Sequence, residues 1–402
     1  MEIDLTTKLH RRLQLPNPLI IASGPSVKND RDIVQGLEAG AGGVVTKTIT
    51  YDVNQQIQPR PRMHIVDKQS ALARTRFYSF YSVDLMSEHP PEKWADLLKR
   101  AKMEISRREI EGVVIASIAG RTYEEWERLA RMVSEAGADA IELNLSCPHV
   151  EPTYNGLMGR AAAYNPQIVS AIVRRVKENT DLPVIGKITP HGANPVELAR
   201  TMVSAGADIL VSTARFQGLI LDVESMKPIL WGGLGGYGGP WQLPISLAWT
   251  YNIVRELPQV VVIGSGGIAS GLDIARFILV GARAVQVCTT IVVHGYGVVR
   301  VMLSELEEWM LRHGFSRIED FRGLAIQNIL PLEKLNREKI YRFTVVPEKC
   351  RICGVCVKVC PYRAVIDRGE EPPVVDESRC DVCGLCYTAC PFDAIVINQM
   401  AS

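Results

Sequence analysis

The chain has 402 residues, of which 47% are hydrophobic and 22% charged, and its formal net charge is +1. This composition is typical of a globular protein with about two or three domains, and the charge gives no reason to expect nucleic acid or an anionic membrane as partner. No apolar run reaches the length of a membrane span, and Met1–Asp4 lacks the layout of a signal peptide. We therefore expect a cytoplasmic protein.

Short β-prone segments alternate with helical patterns, such as Tyr123–Ala136 and Pro166–Lys177, along the first three quarters of the chain. The predicted strands are Leu19–Ser23, Gly43–Thr48, Val113–Ile118, Ala140–Ser146, Pro183–Ile188, Ile209–Thr213, Val260–Ser265 and Ala284–Thr290. This alternation predicts an α/β fold, a (β/α)8 TIM barrel over residues 1–326. The alternative, a doubly wound open sheet, usually has an early Gly-rich dinucleotide turn, which we do not find.

The interval between the second and third predicted strands, 51–111, is unusually long. It contains a Gln-, Pro- and Arg-rich run at 55–62 and an aromatic run at 77–82. An insertion at the active face of a barrel often covers the substrate, which we favour here. The alternative is a structural excursion over one end of the barrel.

The fourth predicted strand ends in Asn144-Leu145-Ser146-Cys147-Pro148-His149. Because proline cannot donate to a ladder, the strand stops there, and Asn144 and Cys147 lie at its carboxyl end, where such barrels place their chemistry. A cysteine at this position can exchange a proton with a substrate carbon. The alternative is a buried structural cysteine. We expect His149 to shape the loop.

Two strand ends carry the features of a phosphate site. Gly266 and Gly267 follow the seventh strand, and Thr289 and Thr290 close the eighth. Loops at these positions commonly bind phosphate in such barrels. The Gly-rich run at 231–236, which includes Gly235, adds backbone that a ligand could approach closely.

Lysines end the second and fifth predicted strands, at Lys47 and Lys187. A lysine on an apolar strand at this face is unfavourable unless it meets an anion. A reduced flavin carries negative charge that a lysine can stabilise. The alternative for each is a surface lysine just past the strand end.

Eight of the ten cysteines lie between Cys350 and Cys390 and form two copies of one spacing, Cys-x-x-Cys-x-x-Cys-x-x-x-Cys-Pro. This is the two-cluster bacterial ferredoxin pattern, in which the fourth cysteine of each run binds the other cluster. The predicted ligands are Cys350, Cys353, Cys356 and Cys390 for one 4Fe–4S cluster, and Cys380, Cys383, Cys386 and Cys360 for the second. Zinc or disulfides are the alternatives. We place this bacterial-type 2[4Fe-4S] ferredoxin domain at 344–402, after a connector at 327–343.

Together these motifs resemble the flavin-binding and terminal iron–sulfur portion of dihydropyrimidine dehydrogenases, above all the separate bacterial iron–sulfur subunit. Dihydroorotate dehydrogenases of class 1 are more distantly similar. The resemblance covers almost the whole chain and rests on strings that include Ala22-Ser23-Gly24, Val45-Thr46-Lys47-Thr48, Asn144–His149, Gly264–Ile268 and the cysteine runs.

The resemblance implies FMN in the barrel, contacted by Lys47 and Lys187, and Cys147 as the acid that protonates a substrate carbon. Asn144 would hold the substrate, with Thr213 assisting. We assign Ala22, Ser23, Asn144, Gly235, Gly266, Gly267, Thr289 and Thr290 to the cofactor as well. The resemblance also implies an FAD-bearing, NAD(P)H-oxidising partner subunit, and hence a hetero-oligomer such as a dimer of heterodimers.

Two positions depart from the family pattern. Asparagines are expected where this chain has Ser82 and Ser212, and serine offers only one hydroxyl to a cyclic imide. We still place both serines at the substrate. The predicted function is an FMN/iron–sulfur oxidoreductase subunit that reduces or oxidises a C=C bond next to a carbonyl. The alternatives are dihydroorotate oxidation, reduction of a related non-pyrimidine substrate, and a non-catalytic electron-transfer subunit.

Overall fold

The computed structural model describes residues 2–150, 156–191, 194–230, 233–338 and 340–399. The chain forms two compact units, Met1–Ile329 and Leu330–Ser402. The first is a closed barrel of eight parallel strands. These are β1 (Leu19–Ile21), β2 (Gly43–Val45), β3 (Val113–Ile118), β4 (Ala140–Leu143), β5 (Val184–Lys187), β6 (Ile209–Val211), β7 (Val261–Ser265) and β8 (Ala284–Val287).

The strands follow one another around the barrel in chain order, and β8 closes it by pairing with β1, with Val285 opposite Leu19. The predicted barrel is confirmed. Several strands end earlier than predicted: β4 ends at Leu143, and β8 ends at Val287, just before a short helix, Thr289–His294. The polar residues that follow leave the ladder, so their side chains are available to a site beyond the sheet.

Amphipathic helices surround the barrel and bury their apolar faces against it. The Tyr123–Glu135 helix shows how the sequence specifies one of them. The Thr122 hydroxyl accepts a hydrogen bond from the Glu125 amide at 3.2 Å, which caps its start. Trp126, Leu129 and Val133 then recur at helical spacing and are buried. The helices that surround the barrel are α1 (Asp30–Glu38), α2 (Pro91–Arg107), α3 (Tyr123–Glu135), α4 (Pro166–Glu178), α5 (Pro195–Ser204), α6 (Leu243–Glu256), α7 (Gly271–Leu279) and α8 (Val298–His313).

A hairpin of strands Thr7–His10 and Leu13–Leu15 packs against the barrel interior. Leu9, Leu13 and Leu15 are buried in one cluster with inward-facing strand residues such as Ile115 and Ile209. This cluster includes the first residues of several strands, so apolar side chains fill the amino end of the barrel. The carboxyl end is left for the site.

Two long loops at the carboxyl end combine into one antiparallel sheet of four strands, which we call the cover sheet. The insertion after β2 supplies Met63–Val66 and Ser79–Ser82, and the loop after β6 supplies Phe216–Gly218 and Gly235–Gly238. The remaining elements of the barrel unit are the helices Val53–Gln56, Lys68–Leu72 and Gly159–Ala163, the hairpin Leu221–Asp222 with Lys227–Pro228, and the 3-10 turns Pro240–Gln242, Ile318–Asp320 and Ile326–Asn328.

The second unit consists of two similar halves. Strand Tyr341–Val345 pairs with Ile395–Gln399, and Val365–Arg368 pairs with Glu371–Val375. Its other elements are the helices Val355–Val359 and Leu385–Ala389 and the 3-10 turn Leu332–Lys334. The first strand begins inside the stretch 327–343, predicted as a connector, because Phe343 packs into the core of this unit. Within the residues described, no helix is long and apolar enough to cross a membrane.

Candidate active site

A cleft lies at the carboxyl ends of the strands and encloses about 710 Å³ of free space, its open mouth included. Residues at or just after the ends of all eight strands meet there. Of the predicted site residues, the cleft is lined by Ala22, Ser23, Lys47, Asn144, Cys147 and Lys187. The structure therefore brings together six residues that are far apart in the sequence.

Asn144 is held in one orientation by hydroxyl groups. Its Nδ2 donates to Thr48 Oγ1 at 2.8 Å, and Thr48 Oγ1 lies 3.0 Å from Ser117 Oγ. Its Oδ1 accepts from the Ser146 amide at 3.3 Å. Because both ends of the amide are engaged, its position relative to the cleft is fixed before any ligand binds.

Cys147 follows this network and is only 8% exposed. Its carbonyl accepts a hydrogen bond from the Arg160 amide at 3.1 Å, and Gly159, at φ +48°, passes so close that a Cβ there would lie 2.9 Å from the same carbonyl oxygen. Burial raises the pKa of the Cys147 thiol above its ordinary value of 9.0. The thiol is therefore protonated at neutral pH. Burial also lowers the pKa of His149 to about 3, so this imidazole is neutral.

Lys47 forms a buried ion pair with Asp84, whose other oxygen accepts from Arg62 Nε at 3.1 Å. Burial alone would raise the pKa of Asp84, but Lys47 and the neighbouring arginines lower it overall. Asp84 is therefore ionised and fixes the Lys47 ammonium at the cleft. The sequence interpretation missed Asp84, which lies in the insertion.

Lys187 is fixed in a similar way inside the barrel. Its Nζ donates to Gln286 Oε1 at 2.6 Å and lies 3.5 Å from Glu142 Oε1, and Gln286 Nε2 donates to Glu142 at 2.5 Å. Glu142 is only 1% exposed. Glu142 and Gln286 were also missed, although a charged and an amide side chain within two apolar strands are a detectable signal.

A second cavity, of about 400 Å³, is lined by all four residues of the predicted phosphate site, Gly266, Gly267, Thr289 and Thr290. Gly266 and Gly267 have φ values of +95° and +86°, which favour glycine. A Cβ on Gly267 would lie 2.3 Å from the Leu243 amide nitrogen, so the loop packs tightly on α6. Bare backbone and the Thr289 hydroxyl fit a phosphate group here, whereas the Thr290 hydroxyl donates to the Ile268 carbonyl at 2.5 Å.

Four predicted residues lie outside the lining of both cavities. Ser212 is buried and accepts from Thr250 Oγ1 at 2.8 Å, while Thr213 Oγ1 donates to the adjacent Ala214 carbonyl at 3.4 Å. Ser82 is buried in the cover sheet and accepts from Arg215 Nη1. Gly235 lies in the same sheet against Tyr81. Trp231 and Gly232, from the same Gly-rich run, lie outside the described residues.

In the second unit, the cysteines gather into two groups. A cavity of about 360 Å³ is lined by Cys350, Cys353, Cys356 and Cys390. Burial raises the pKa of Cys386 to about 11, and the nearby sulfurs of Cys380, Cys360 and Cys383 contribute to this rise. Each group thus combines three cysteines of one run with the fourth of the other. None of the ten cysteines, all of which lie within the described residues, forms a disulfide.

Backbone amides turn toward these sulfurs in both halves. The Ile352 and Val382 amides donate to Cys350 and Cys380 Sγ at 3.5 and 3.4 Å, and the Ala364 and Ala394 amides donate to Cys360 and Cys390 Sγ at 3.3 Å. Among the described residues, no three His, Cys, Asp or Glu side chains converge on a point suited to a single ion. The sulfurs of the first group line a cavity of several residues, which suits a cluster with several iron atoms.

This combination of a parallel barrel, a lysine-lined cleft with an adjoining glycine- and threonine-lined cavity, and paired four-cysteine groups defines an oxidoreductase that uses FMN and two 4Fe–4S clusters. The chain belongs to the dihydroorotate dehydrogenase family, whose model matches residues 5–310. A 4Fe–4S binding domain matches twice, at residues 343–366 and 373–396.

The chain is similar to several curated proteins over most of its length. It is 33% identical over 358 residues to the NAD-dependent dihydropyrimidine dehydrogenase subunit PreA of Escherichia coli (strain K12), covering 87% of this chain and 83% of that protein. It is 31% identical to the chloroplastic dihydropyrimidine dehydrogenase (NADP(+)) of Arabidopsis thaliana, over 81% of this chain and 78% of the relative. It is 34% identical to the catalytic subunit of dihydroorotate dehydrogenase B (NAD(+)) of Thermococcus kodakarensis, over 78% of this chain and 96% of the relative.

Proposed function

We propose that this chain is the substrate-reducing subunit of a dihydropyrimidine dehydrogenase-like complex, and that it reduces a C=C bond next to a carbonyl. The observation that carries the proposal is the buried Cys147 thiol, which lines the same cleft as Lys47, Lys187 and Asn144. A thiol that stays protonated at neutral pH suits a general acid. The relatives from Escherichia coli and Arabidopsis thaliana, both named dihydropyrimidine dehydrogenases, support the reaction class.

The residues of the cleft take distinct roles in this reaction. FMN, when bound, would supply hydride transfer to the double bond and would accept electrons one at a time. Lys47 and Lys187 present fixed positive charge to the flavin ring, because Asp84 and Glu142 hold their ammonium groups in place. Asn144 orients the substrate carbonyl, and Cys147 donates its thiol proton to the second carbon of the double bond.

The eight cysteines of the second unit take the ligand roles that their spacing predicts. Cys350, Cys353, Cys356 and Cys390 hold one cluster, and Cys380, Cys383, Cys386 and Cys360 hold the other. Two observations support these sets. The first four cysteines line one cavity, and in the second group the sulfurs of Cys380, Cys360 and Cys383 are close enough to raise the pKa of Cys386. The prolines after Cys360 and Cys390 prevent the preceding helices from continuing.

The electrons come from a separate NAD(P)H-oxidising flavoprotein subunit, so the protein works as a cytoplasmic hetero-oligomer. The Escherichia coli relative is named as a subunit of an NAD-dependent enzyme, which supports such a partner. Gly233–Gly238 has the Gly-x-Gly-x-x-Gly spacing of a dinucleotide turn. However, Gly235–Gly238 forms a strand paired with Ser79–Ser82, and a dinucleotide turn would link a strand to a helix.

A second candidate is oxidation of dihydroorotate with the electron flow reversed, which the Thermococcus kodakarensis relative favours. In that direction Cys147 would accept a proton as the thiolate, and its raised pKa makes the thiolate scarce at neutral pH but a strong base once formed. The same cleft serves both directions, so the candidates differ in substrate and pH dependence.

The proposal is tested by substrate-driven flavin reoxidation. The protein, purified with its cofactors, is reduced anaerobically and mixed with uracil, thymine, other cyclic amides and cyclic enones, and flavin absorbance is followed by stopped flow. We expect at least one conjugated carbonyl compound to reoxidise the flavin with release of the saturated product. If all of them fail while dihydroorotate reduces the oxidised protein, the second candidate replaces the first. If neither occurs, the electron-transfer-only function is favoured.

A further inference from the structure

The loop at 266–270, which carries the two glycines of the phosphate cavity, is held from outside by an arginine of the insertion. Arg74 Nη2 donates to the Ala269 carbonyl at 2.7 Å, although the two residues are 195 positions apart. The Ala269 amide donates to the Asp273 carboxylate of α7 at 3.0 Å. Because both polar groups of the Ala269 backbone are engaged, the position of this loop depends on the insertion as well as on α7.

Ion pairs extend this attachment to two outer helices. Arg74 Nη1 lies 3.4 Å from Glu305 of α8, whose other oxygen accepts from the Gly271 amide at 2.7 Å. Arg76 Nη2 lies 2.7 Å from the Asp273 carboxylate of α7. The Arg76 side chain is 45% exposed and Asp273 has a second arginine partner, so this pair should contribute less. Arg74 is therefore the main link between the insertion and the loop.

Tyr78 adds a buried aromatic contact to the same end of the barrel. It is 0% exposed, and its ring meets the His294 imidazole edge-on, with 6.2 Å between the ring centroids. His294 ends the short helix after β8, and Thr290 of that helix lies beside the Tyr78 hydroxyl. The next residues, Ser79–Ser82, form the cover-sheet strand that pairs with the loop after β6. The segment 74–78 thus connects the surroundings of the phosphate cavity directly to the cover sheet.

We propose that the segment 74–78 couples FMN binding to the order of the cover sheet, and that Arg74 is the positioning residue for this coupling. A phosphate bound at Gly266 and Gly267 fixes the loop that Arg74 contacts, and Arg74 in turn holds that loop in place. Coupling between two sites is reciprocal, so FMN should order the cover sheet and the cover sheet should slow the release of FMN. The substrate cleft is then completed only after the cofactor has bound.

The first test is the rate of FMN release from Arg74→Met and Arg74→Lys, followed on dilution by the rise in free-flavin fluorescence. Methionine keeps a long side chain at this position, where φ is +53°, but removes every hydrogen-bond donor. We expect Arg74→Met to release FMN about tenfold faster than the wild type, because a hydrogen bond from a charged donor is lost. Arg74→Lys should recover part of the slow rate.

Arg60→Met is the matched control, because Arg60 lies in the same insertion and forms an exposed ion pair with Glu88 at 3.1 Å. It should release FMN at the wild-type rate. Equal release from Arg74→Met and the wild type, or equally fast release from Arg74→Met and Arg60→Met, would overturn the proposal.

The second test is hydrogen–deuterium exchange of residues 74–82, measured with and without FMN. In the wild type, FMN should slow exchange in this segment, whereas in Arg74→Met exchange should be faster and respond little to FMN. A purely structural arginine would speed exchange equally in both states, and that result would overturn the proposal, as would wild-type exchange that ignores FMN. Neither test involves a substrate, so failure of the proposed reduction would leave both results unchanged.

Discussion

In the second unit, three of the four sulfurs of each group come from one short run of chain, and the fourth comes from the other run. In the barrel, the residues around the cleft extend from Ala22 to Cys288 and meet only because eight strands close into a ring. The first kind of site is encoded by local spacing, whereas the second depends on the whole fold. Changes in one unit should therefore remove its cofactor and spare that of the other.

The largest effect is expected from Gly266→Asp. The change puts a side chain on a residue with φ +95°, where a Cβ would lie 2.3 Å from Gln242 Nε2, and it adds a negative charge to the phosphate cavity. FMN should be lost while iron and labile sulfide remain at wild-type values. Gly297→Asp is the control, because open space surrounds that glycine. Wild-type FMN content in Gly266→Asp would show that the phosphate binds elsewhere.

Cys147→Ala should slow substrate-driven flavin reoxidation by about 10²–10⁴-fold, the usual effect of losing a positioned general acid. Reduction of the flavin by the partner should remain near normal, because no cofactor uses this thiol. Cys147→Ser should keep the geometry but turn over slowly, since a hydroxyl is a far weaker acid. Rates are normalised to bound FMN. A purely structural cysteine would instead lower stability modestly and leave the normalised rate unchanged.

Cys390→Ala tests the crossed ligand sets in the second unit. The wild type should contain about eight iron atoms and eight labile sulfides, with one FMN. The variant should lose the cluster that Cys350, Cys353 and Cys356 share, which halves the iron, and keep its FMN. Cys360→Ala should halve the iron by removing the other cluster, so the two variants should differ in their electron paramagnetic resonance spectra. Identical spectra, or wild-type iron at half the expected amount, would contradict the assignment.

Ser270→Ala should have the smallest effect. The Ser270 hydroxyl accepts from the Asp273 amide at 3.3 Å, and Asp273 accepts from the Ser270 amide, so the two residues cap α7. Losing this cap should lower the free energy of unfolding of the barrel by about 1 kcal/mol. Denaturation followed by flavin fluorescence measures it, and the iron content should not change. Thr122→Ala, at the cap of α3, should lower the free energy of unfolding by a similar amount.

The sequence predicts the cysteine groups more completely than it predicts the cleft of the barrel. The cysteine spacing indicates both cluster groups because all ligands lie in two short runs. In the barrel, the polar strand ends at Lys47, Asn144 and Lys187 are recognisable, since polar groups interrupt apolar strands there. Glu142 and Gln286 carry the same signal and could have been found.

Asp84 and Arg215 could not have been found in this way. Both lie in loops, and their positions depend on the pairing of two loops in the cover sheet: Arg215 and Ser82 are 133 positions apart. The direction of a side chain at a strand end is also not encoded by spacing. Ser212 was placed at the substrate but contacts Thr250. Strand ends were predicted too long because β-prone residues continue beyond the ladder.

The most direct test of the account is the pH dependence of flavin reoxidation by substrate, measured in the wild type and in Cys147→Ala and normalised to bound FMN. Burial raises the pKa of Cys147, and the reduction needs its protonated form, so the wild-type rate should stay level through the ordinary thiol range and fall only at higher pH. Cys147→Ala should be slow throughout and should lack this fall. A wild-type rate that rises with pH, or the same profile in both proteins, would contradict the role of Cys147 as the acid.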